Sequence, residues 1–402
     1  MLREHVLHMA TEPLEVVRIG FVGLGNRGMA TLNRYMVIEG VEVRALCDLD
    51  TANLAAAVEV LRKKGKATPE LYHGKEEWRT MCERSDIDLI YICTDWLTHT
   101  PMALYAMQHG KHVAVEVPAA TTVEECWQLV DCAEMTRRHC VMLENCCYDV
   151  FHLATFSMVK DGLLGELTHL EGAYIHDLRD KYRADEEQGE GSWMGRLCGR
   201  HSGNPYPTHG LGPICQLLDI HRGDKMDYLV SMSPHISSKD VLTPSAYINN
   251  TLIKTKKGRS ILLQYDVTTP RPYSRMQTVC GTKGFVQKYP RRQILIEGMN
   301  MVCGDATETL MHQYTHSQMQ AVQQRGEQLQ VANIMNYTMD FRLIHCLRKG
   351  LPLDMDVYDA AEWSCIAELT EQSVRGGGMP VSIPDFTRGR WDLLDGYEFS
   401  YD

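Results

Sequence analysis

The 402 residues are more than one hydrophobic core usually serves and fit two domains. The formal net charge is −11 and no Lys/Arg block occurs, which argues against a nucleic-acid partner, because binding phosphates needs concentrated positive charge. No apolar run approaches the roughly 18 residues of a membrane span. The opening MLREHVLHMATEPLE also lacks the apolar centre of a secretory signal, so the default expectation is a cytoplasmic protein, or a periplasmic one if the start is trimmed.

From the N-terminus, strand and helix patterns alternate. EVVRIGFVG (15–23) is a β-branched run ending in Gly, and a helix-like stretch follows from Arg27. VEVRALCD (41–48) reads as a second strand, and TANLAAAVEVLRKKG (51–65) as a helix closed by Gly65. IDLIYICT (87–94), HVAVEV (112–117) and CVMLEN (140–145) continue the series, separated by the helical patterns through PMALYAMQHG and 122–139. Such alternation with short joins predicts a parallel sheet covered on both faces.

Beyond about residue 150 the rhythm changes. LTHLEGAYIHDL, DYLVSMSPHI, SAYINNTLIKT, SILLQYDVT and QILIEG alternate with a period of two and are joined by turns. The expectation is an α/β chain with an N-terminal doubly wound domain (1–148) and a C-terminal α+β domain (149–402) built on a large, mainly antiparallel sheet. Residues 330–348 and 357–375 read as helices able to pack back on the first domain. The fourteen Cys contain no C-x-x-C pair, so they read as buried free thiols with no disulfide framework and no metal site.

Gly23-Leu24-Gly25-Asn26-Arg27-Gly28 is a G-x-G-x-x-G that follows a strand and opens a helix, and Asp48 ends the next strand 20 residues after Gly28. In that context the glycines permit a tight turn and close approach of a pyrophosphate, and the helix N-terminus offers N–H donors. Asp48 suits ribose hydroxyls and repels a 2′-phosphate, which favours NAD(H). Arg27 is the residue that could tolerate such a phosphate.

HSGNPYPTHGLGP (201–213) is too rich in Pro and Gly for a helix interior, and it carries Tyr206 and His209 three apart around Pro207. His209 is neutral near pH 7 at its reference pKa and can accept or return a proton. Read from the residues alone, His209 is equally a capping group and Tyr206 a packed ring.

GFVGLGNRG, TDWLTH (94–99) and AVEVPAA (114–120) resemble the Gfo/Idh/MocA dehydrogenases, in which the last element usually reads Glu-Lys-Pro; here it is Glu116-Val117-Pro118. ENCCYD (144–149), EGAYIHDL (171–178), YPTHGLGP (206–213), LLDIHRGDKM (217–226), RPYSR (271–275) and PDFTRGRW (384–391) are more similar to phrases of glycoside hydrolase family 109, NAD-dependent glycosidases typified by α-N-acetylgalactosaminidase. The resemblance implies hydrolysis without net redox change. Hydride passes from sugar C3 to NAD+, the C2 proton is removed, the C1 substituent leaves, water adds, and the hydride returns. A glycoside 3-dehydrogenase that stops after the first hydride transfer is the alternative.

Residue by residue, the resemblance implies cofactor contacts at Gly23, Gly25, Asn26, Arg27, Gly28, Asp48, Trp96, His99, Glu116, Val117 and Asn145. It implies catalysis by His209 and Tyr206. Substrate contacts follow at Tyr174, Tyr206, Pro207, Thr208, His209 and, more weakly, Tyr289. The family's Trp about 13 residues before the YPTH Tyr is typically followed by an Arg that contacts the sugar. Here Met194 follows Trp193, leaving Arg196, Arg200 or His201 as nearby replacements. The expected partners are a small glycoside and further copies of the chain, as a dimer or higher homo-oligomer.

Overall fold

Short aliphatic runs such as LIYI and HVAV are buried at every position, as strands covered on both faces must be. They belong to a computed structural model that describes residues 4–183, 192–234 and 247–401. The chain divides into two units. Unit 1 takes in Met1–Glu144, Ala321–Ala361 and Glu398–Asp402, and unit 2 takes in Asn145–Gln320 and Glu362–Tyr397.

In the first stretch of unit 1 the elements are β1 (Val17–Val22), α1 (Asn26–Tyr35), β2 (Val41–Asp48), α2 (Thr51–Lys63), β3 (Glu70–His73), α3 (Glu77–Cys82), β4 (Leu89–Ile92), α4 (Trp96–Gln108), β5 (His112–Val115), α5 (Val123–Thr136) and β6 (Cys140–Met142). The strands form one parallel sheet in the order β3-β2-β1-β4-β5-β6. Helix α5 starts in a capping box, with Thr122 and Glu125 each accepting from the other's backbone N–H. The extra edge strand β3, ELYH, has no buried residue, so its hydrophobic signal is too weak to read.

From residue 145 onward come α6 (Val150–Lys160), β7 (Leu167–Ile175), α7 (Arg179–Arg183), α8 (Trp193–Gly199), α9 (Thr208–Leu217), β8 (Met226–Met232), β9 (Ile248–Thr255), β10 (Ser260–Asp266), β11 (Ser274–Gly281), β12 (Gly284–Gln287), β13 (Gln293–Ile296) and β14 (Val302–Cys303). Helices α10 (Thr307–Tyr314), α11 (Ser317–Gln328), α12 (Ile334–Lys349) and α13 (Val357–Arg375) and strand β15 (Val381–Ser382) complete the chain. Among the described residues the second sheet has nine strands, ordered β14-β13-β12-β11-β7-β10-β9-β8-β15. Only β7 and β10 pair in parallel; the other pairs are antiparallel. Strand β9 shows the period of two, burying Asn249, Thr251, Ile253 and Thr255 while Leu252 stays 55% exposed.

All fourteen cysteines are free, and all but Cys93, Cys280 and Cys303 are buried. Among the described residues, no helix is long and apolar enough to cross a membrane.

Buried histidines make the fold sensitive to acid. In unit 1 the His139 N–H donates to Nδ1 of His112, and burial, with Arg138 nearby, holds the two imidazoles down to about 4 (His112) and about 3 (His139). In unit 2 burial takes His152 to about 4. Each folded value lies below the unfolded 6.5, so the stabilisation is complete above about 6.5 and is lost as pH falls toward the folded values. The unfolding free energy should decline below pH 6.5 by up to about 1.4 kcal/mol per pH unit for each such His. Urea midpoints at pH 7, 6 and 5 check this; a midpoint that does not move contradicts it.

Candidate active site

The side chains singled out in the sequence fall into two sets, one in each unit. In unit 1, β1 runs into Gly23, whose φ of +88° lies where L side chains are rare. A Cβ there would stand 2.3 Å from the Cys93 carbonyl oxygen, and one on Gly28 would stand 2.0 Å from that of Gly23. A Cβ on Gly25 would meet nothing within 4 Å. Two glycines therefore allow backbone to touch backbone, while the third borders open space at the start of α1. Gly25 is the N-cap of α1 and no side chain caps that helix, so its first N–H groups suit a pyrophosphate.

Asp48, at the end of β2, accepts from Leu24 N at 2.5 Å and from Asp50 N at 2.8 Å. It braces the glycine loop; Oδ1 also accepts from Asn53 Nδ2 at 3.3 Å, while Oδ2 keeps a second lone pair for a ribose hydroxyl. Arg27 Nε lies 3.4 Å from Glu116 Oε2, just beyond β5. In the sheet order β5 is separated from β2 by two strands, so this pairing gives Arg27 a counter-charge away from Asp48.

His99 is 1% exposed, with its ring nitrogens 2.7 Å from Pro118 O and 3.2 Å from Thr94 O. Burial lowers its pKa, and a neutral imidazole donates to only one of these carbonyls. It ties together the loops after β4 and β5. Trp96 opens α4 and Val117 lies beyond β5, both buried.

In unit 2, α9 lies directly on β7 because both carry glycine at the crossing. A Cβ on Gly172 would sit 2.1 Å from Gly210 O, and one on Gly210 would sit 2.6 Å from Ala173 N. This close approach sets His209 and Tyr206 over Tyr174, with ring centroids 5.4 Å and 5.0 Å from the Tyr174 ring. The Tyr206 hydroxyl and His209 Nε2 are 3.0 Å apart, and the Tyr174 hydroxyl and His176 Nδ1 are 3.2 Å apart.

The loop before α9 is pinned: Asn204 Oδ1 accepts from Tyr206 N, and the Asn204 backbone N–H donates to Thr370 Oγ1. Pro207 is the N-cap of α9, so Thr208–Pro213, expected as loop, are instead its first turns, where Gly210 lets the helix close on β7. Thr208, expected among the substrate contacts, is fully enclosed. Asn145 is buried and accepts from the Cys146 thiol.

The row of rings continues from His176 to Tyr273 at 5.2 Å and from Tyr273 to Tyr289 at 5.9 Å. Behind Tyr289, Lys288 Nζ and the Arg275 guanidinium lie 5.3 Å and 6.0 Å from its centroid. Both cations pair with Asp149. Burial pushes the Asp149 carboxyl up, but Lys288 and Arg275 outweigh it and hold the group well below the usual carboxylate range. Strand β11 is bulged here, with Met276 and Gln277 at φ of 54° and 55°. Bulges re-aim neighbouring side chains. Tyr273, not singled out from the sequence, joins this row of rings; its sequence signal is its place in RPYSR. Of the replacements for the Arg absent at Met194, His201 is engaged by Glu371 and by Gly203 N, while Arg196 and Arg200 are exposed on and just after α8.

A Tyr–His hydrogen bond is a proton-transfer pair, since one group can give up a proton as the other takes it. Residues 148–393 match the family model for the glycosyl hydrolase 109 C-terminal domain, and residues 17–144 match the oxidoreductase family with an NAD-binding Rossmann fold. The chain belongs to glycoside hydrolase family 109. A family 109 protein of Phocaeicola vulgatus is 57% identical over 410 residues, spanning 97% of this chain and 99% of its own. An α-N-acetylgalactosaminidase of Bacteroides fragilis is 56% identical over 409 residues, 96% of each chain.

Among solved structures, myo-inositol dehydrogenase from Lactobacillus casei, in complex with NAD(H) and myo-inositol, aligns with a TM-score of 0.64 at 20% identity. That alignment covers 92% of this chain and 99% of the other. Aldose-aldose oxidoreductase from Caulobacter crescentus gives 0.67 at 16%, covering 92% and 100%. At these identities the likeness is one of fold. The family 109 chain is thus an NAD-dependent glycosidase whose first domain is an NAD-binding Rossmann fold.

In this family 109 enzyme, Asp48→Ala is expected to weaken NAD(H) by about 1–3 kcal/mol, the loss of charge-assisted hydrogen bonds. Calorimetry on the native protein checks the assignment, and tighter binding of NADP(H) than of NAD(H) would overturn it.

Proposed function

We propose that the enzyme cleaves N-acetylgalactosaminides or closely related glycosides through elimination at C1–C2, with His209 as the base that takes the C2 proton. The supporting observation is the 3.0 Å hydrogen bond between Tyr206 and His209, set over Tyr174. NAD, when bound, supplies transient oxidation at sugar C3, which acidifies the C2 proton. Tyr206 deprotonates or polarises the C3 hydroxyl, and its contact with His209 lets the two share that proton. Tyr174 and Tyr289 form polar-edged aromatic walls suited to a sugar ring. Asp48, Asn26 and Arg27 hold the ribose and phosphates. The sugar follows from the Bacteroides fragilis relative, an α-N-acetylgalactosaminidase.

Incubation with aryl α- and β-glycosides of N-acetylgalactosamine and galactose, with and without added NAD+, tests the reading. Phenol release without steady NADH accumulation is expected. Stoichiometric NADH together with a keto-glycoside would instead establish a glycoside 3-dehydrogenase.

We also propose that copies associate through the open face of the second sheet. Tyr228, Met232 and Leu252 are 39%, 63% and 55% exposed there, and paired strands place them on one side. Light scattering at micromolar concentration should exceed the 45.7 kDa of one chain; a mass equal to it would sink the idea.

A further inference from the structure

We propose that Asp340, on α12, is a positioning residue for the cofactor site, acting on Glu116 and Arg27 through a one-way chain of hydrogen bonds beneath α1. The chain starts at a buried ion pair, Arg34 Nε to Asp340 Oδ2 at 2.6 Å. The other arm of Arg34 donates to Thr31 Oγ1 at 2.9 Å. Thr31 Oγ1 lies 3.4 Å from the Tyr91 hydroxyl, which itself donates to Glu116 Oε1 at 3.0 Å. Because Tyr91 gives its single proton to Glu116, Thr31 is the donor to Tyr91. Every proton therefore points the same way, from the Arg34 cation to the Glu116 carboxylate, and such chains reinforce themselves in a low-dielectric interior. Glu116 ends the chain by facing Arg27.

Arg27, Thr31 and Arg34 are spaced four and three apart, on one face of α1. Thr31, Tyr91 and Asp340 are fully buried, and Arg34 and Glu116 nearly so. Stability is a poor account of the arrangement. A buried ion pair is commonly no better than apolar residues of the same size. Asp340 Oδ1 also makes no hydrogen bond among the described residues. Burial pushes the Asp340 carboxyl up to about 7, and the charge of Arg34 opposes it. What the chain does accomplish is to fix the Glu116 carboxylate, and through it Arg27, at the mouth of the glycine loop.

The inference rests on the glycine loop holding NAD and makes no use of the glycosidase chemistry. It is tested by comparing NAD+ with adenosine, which keeps the end near Asp48 and lacks the phosphates and the nicotinamide half. Binding to the native protein, Thr31→Val and Asp340→Asn is measured by calorimetry or competition. Both variants are expected to weaken NAD+ by about 5-fold or more and adenosine by less than about 2-fold, the loss of roughly one hydrogen bond's worth of order on one side of the site. If Asp340→Asn does not fold, Thr31→Val, which leaves the ion pair in place, carries the test alone. Unchanged NAD+ affinity in folded Thr31→Val overturns the proposal. So does an equal loss for NAD+ and adenosine, which marks general loosening of the domain.

Discussion

His209→Ala is expected to lower turnover on glycosides by about 10²–10⁴, the usual contribution of a positioned acid or base, while NAD+ affinity stays within about threefold. The separation is expected because His209 lies in unit 2 on α9, while the glycine loop, Asp48 and Glu116 belong to unit 1. Its hydrogen bond to Tyr206 means that Tyr206→Phe should also slow the reaction, since the relay loses one of its two groups. An isotopic measurement is sharper than the rate. In D₂O the native enzyme should place deuterium at C2 of the released sugar, because the C2 proton passes through the base. A base screened from solvent would still show a slower rate with C2-deuterated substrate. An active enzyme that shows neither effect does not use elimination.

The second large effect concerns stability. Asp149→Ala is expected to destabilise the fold by about 3–5 kcal/mol, as when one partner of a buried ion pair is removed. Arg275 is 4% exposed and Lys288 only partly exposed, so both cations would lose their carboxylate in a poorly hydrated place. Asp149 is also the N-cap of α6, accepting from Phe151 N and His152 N, and that bond is worth about 1 kcal/mol. Asp149→Asn keeps a capping oxygen and removes the charge, so the two substitutions separate the effects. Because the folded carboxyl sits well below its unfolded value near 3.9, its contribution is complete above that pH and is lost as pH falls below it. Denaturant midpoints at pH 7 measure both variants. A shift equivalent to less than about 1 kcal/mol for Asp149→Ala would mean that the cations find other partners.

The chain itself determined whatever depends on neighbours in sequence. The glycine spacing of 23–28, the strand ending at Asp48 and the alternation of strand and helix are local patterns, and each is present in the folded protein. The change to a period of two after residue 150 is equally local, and so is the loop up to Pro207, but Thr208–Pro213, read as loop for their Pro and Gly, are the first turns of α9. Contacts between distant segments were decided only by the tertiary structure. Strand β3 and bulged β11 lack a clean hydrophobic period, and pairing with their neighbours makes them strands. Thr208 is expected among the substrate contacts, yet the approach of Gly210 to β7 carries it inside. Tyr273 and Tyr289 join His176 and Tyr174 because β11 and β12 pair beside β7, an ordering that no single segment encodes. Arg27 reads equally well as a phosphate ligand or as a tolerance for NADP(H). Its pairing with Glu116, and the line from Glu116 to Asp340 more than 200 residues on, exist only because α1, β4, β5 and α12 are packed together.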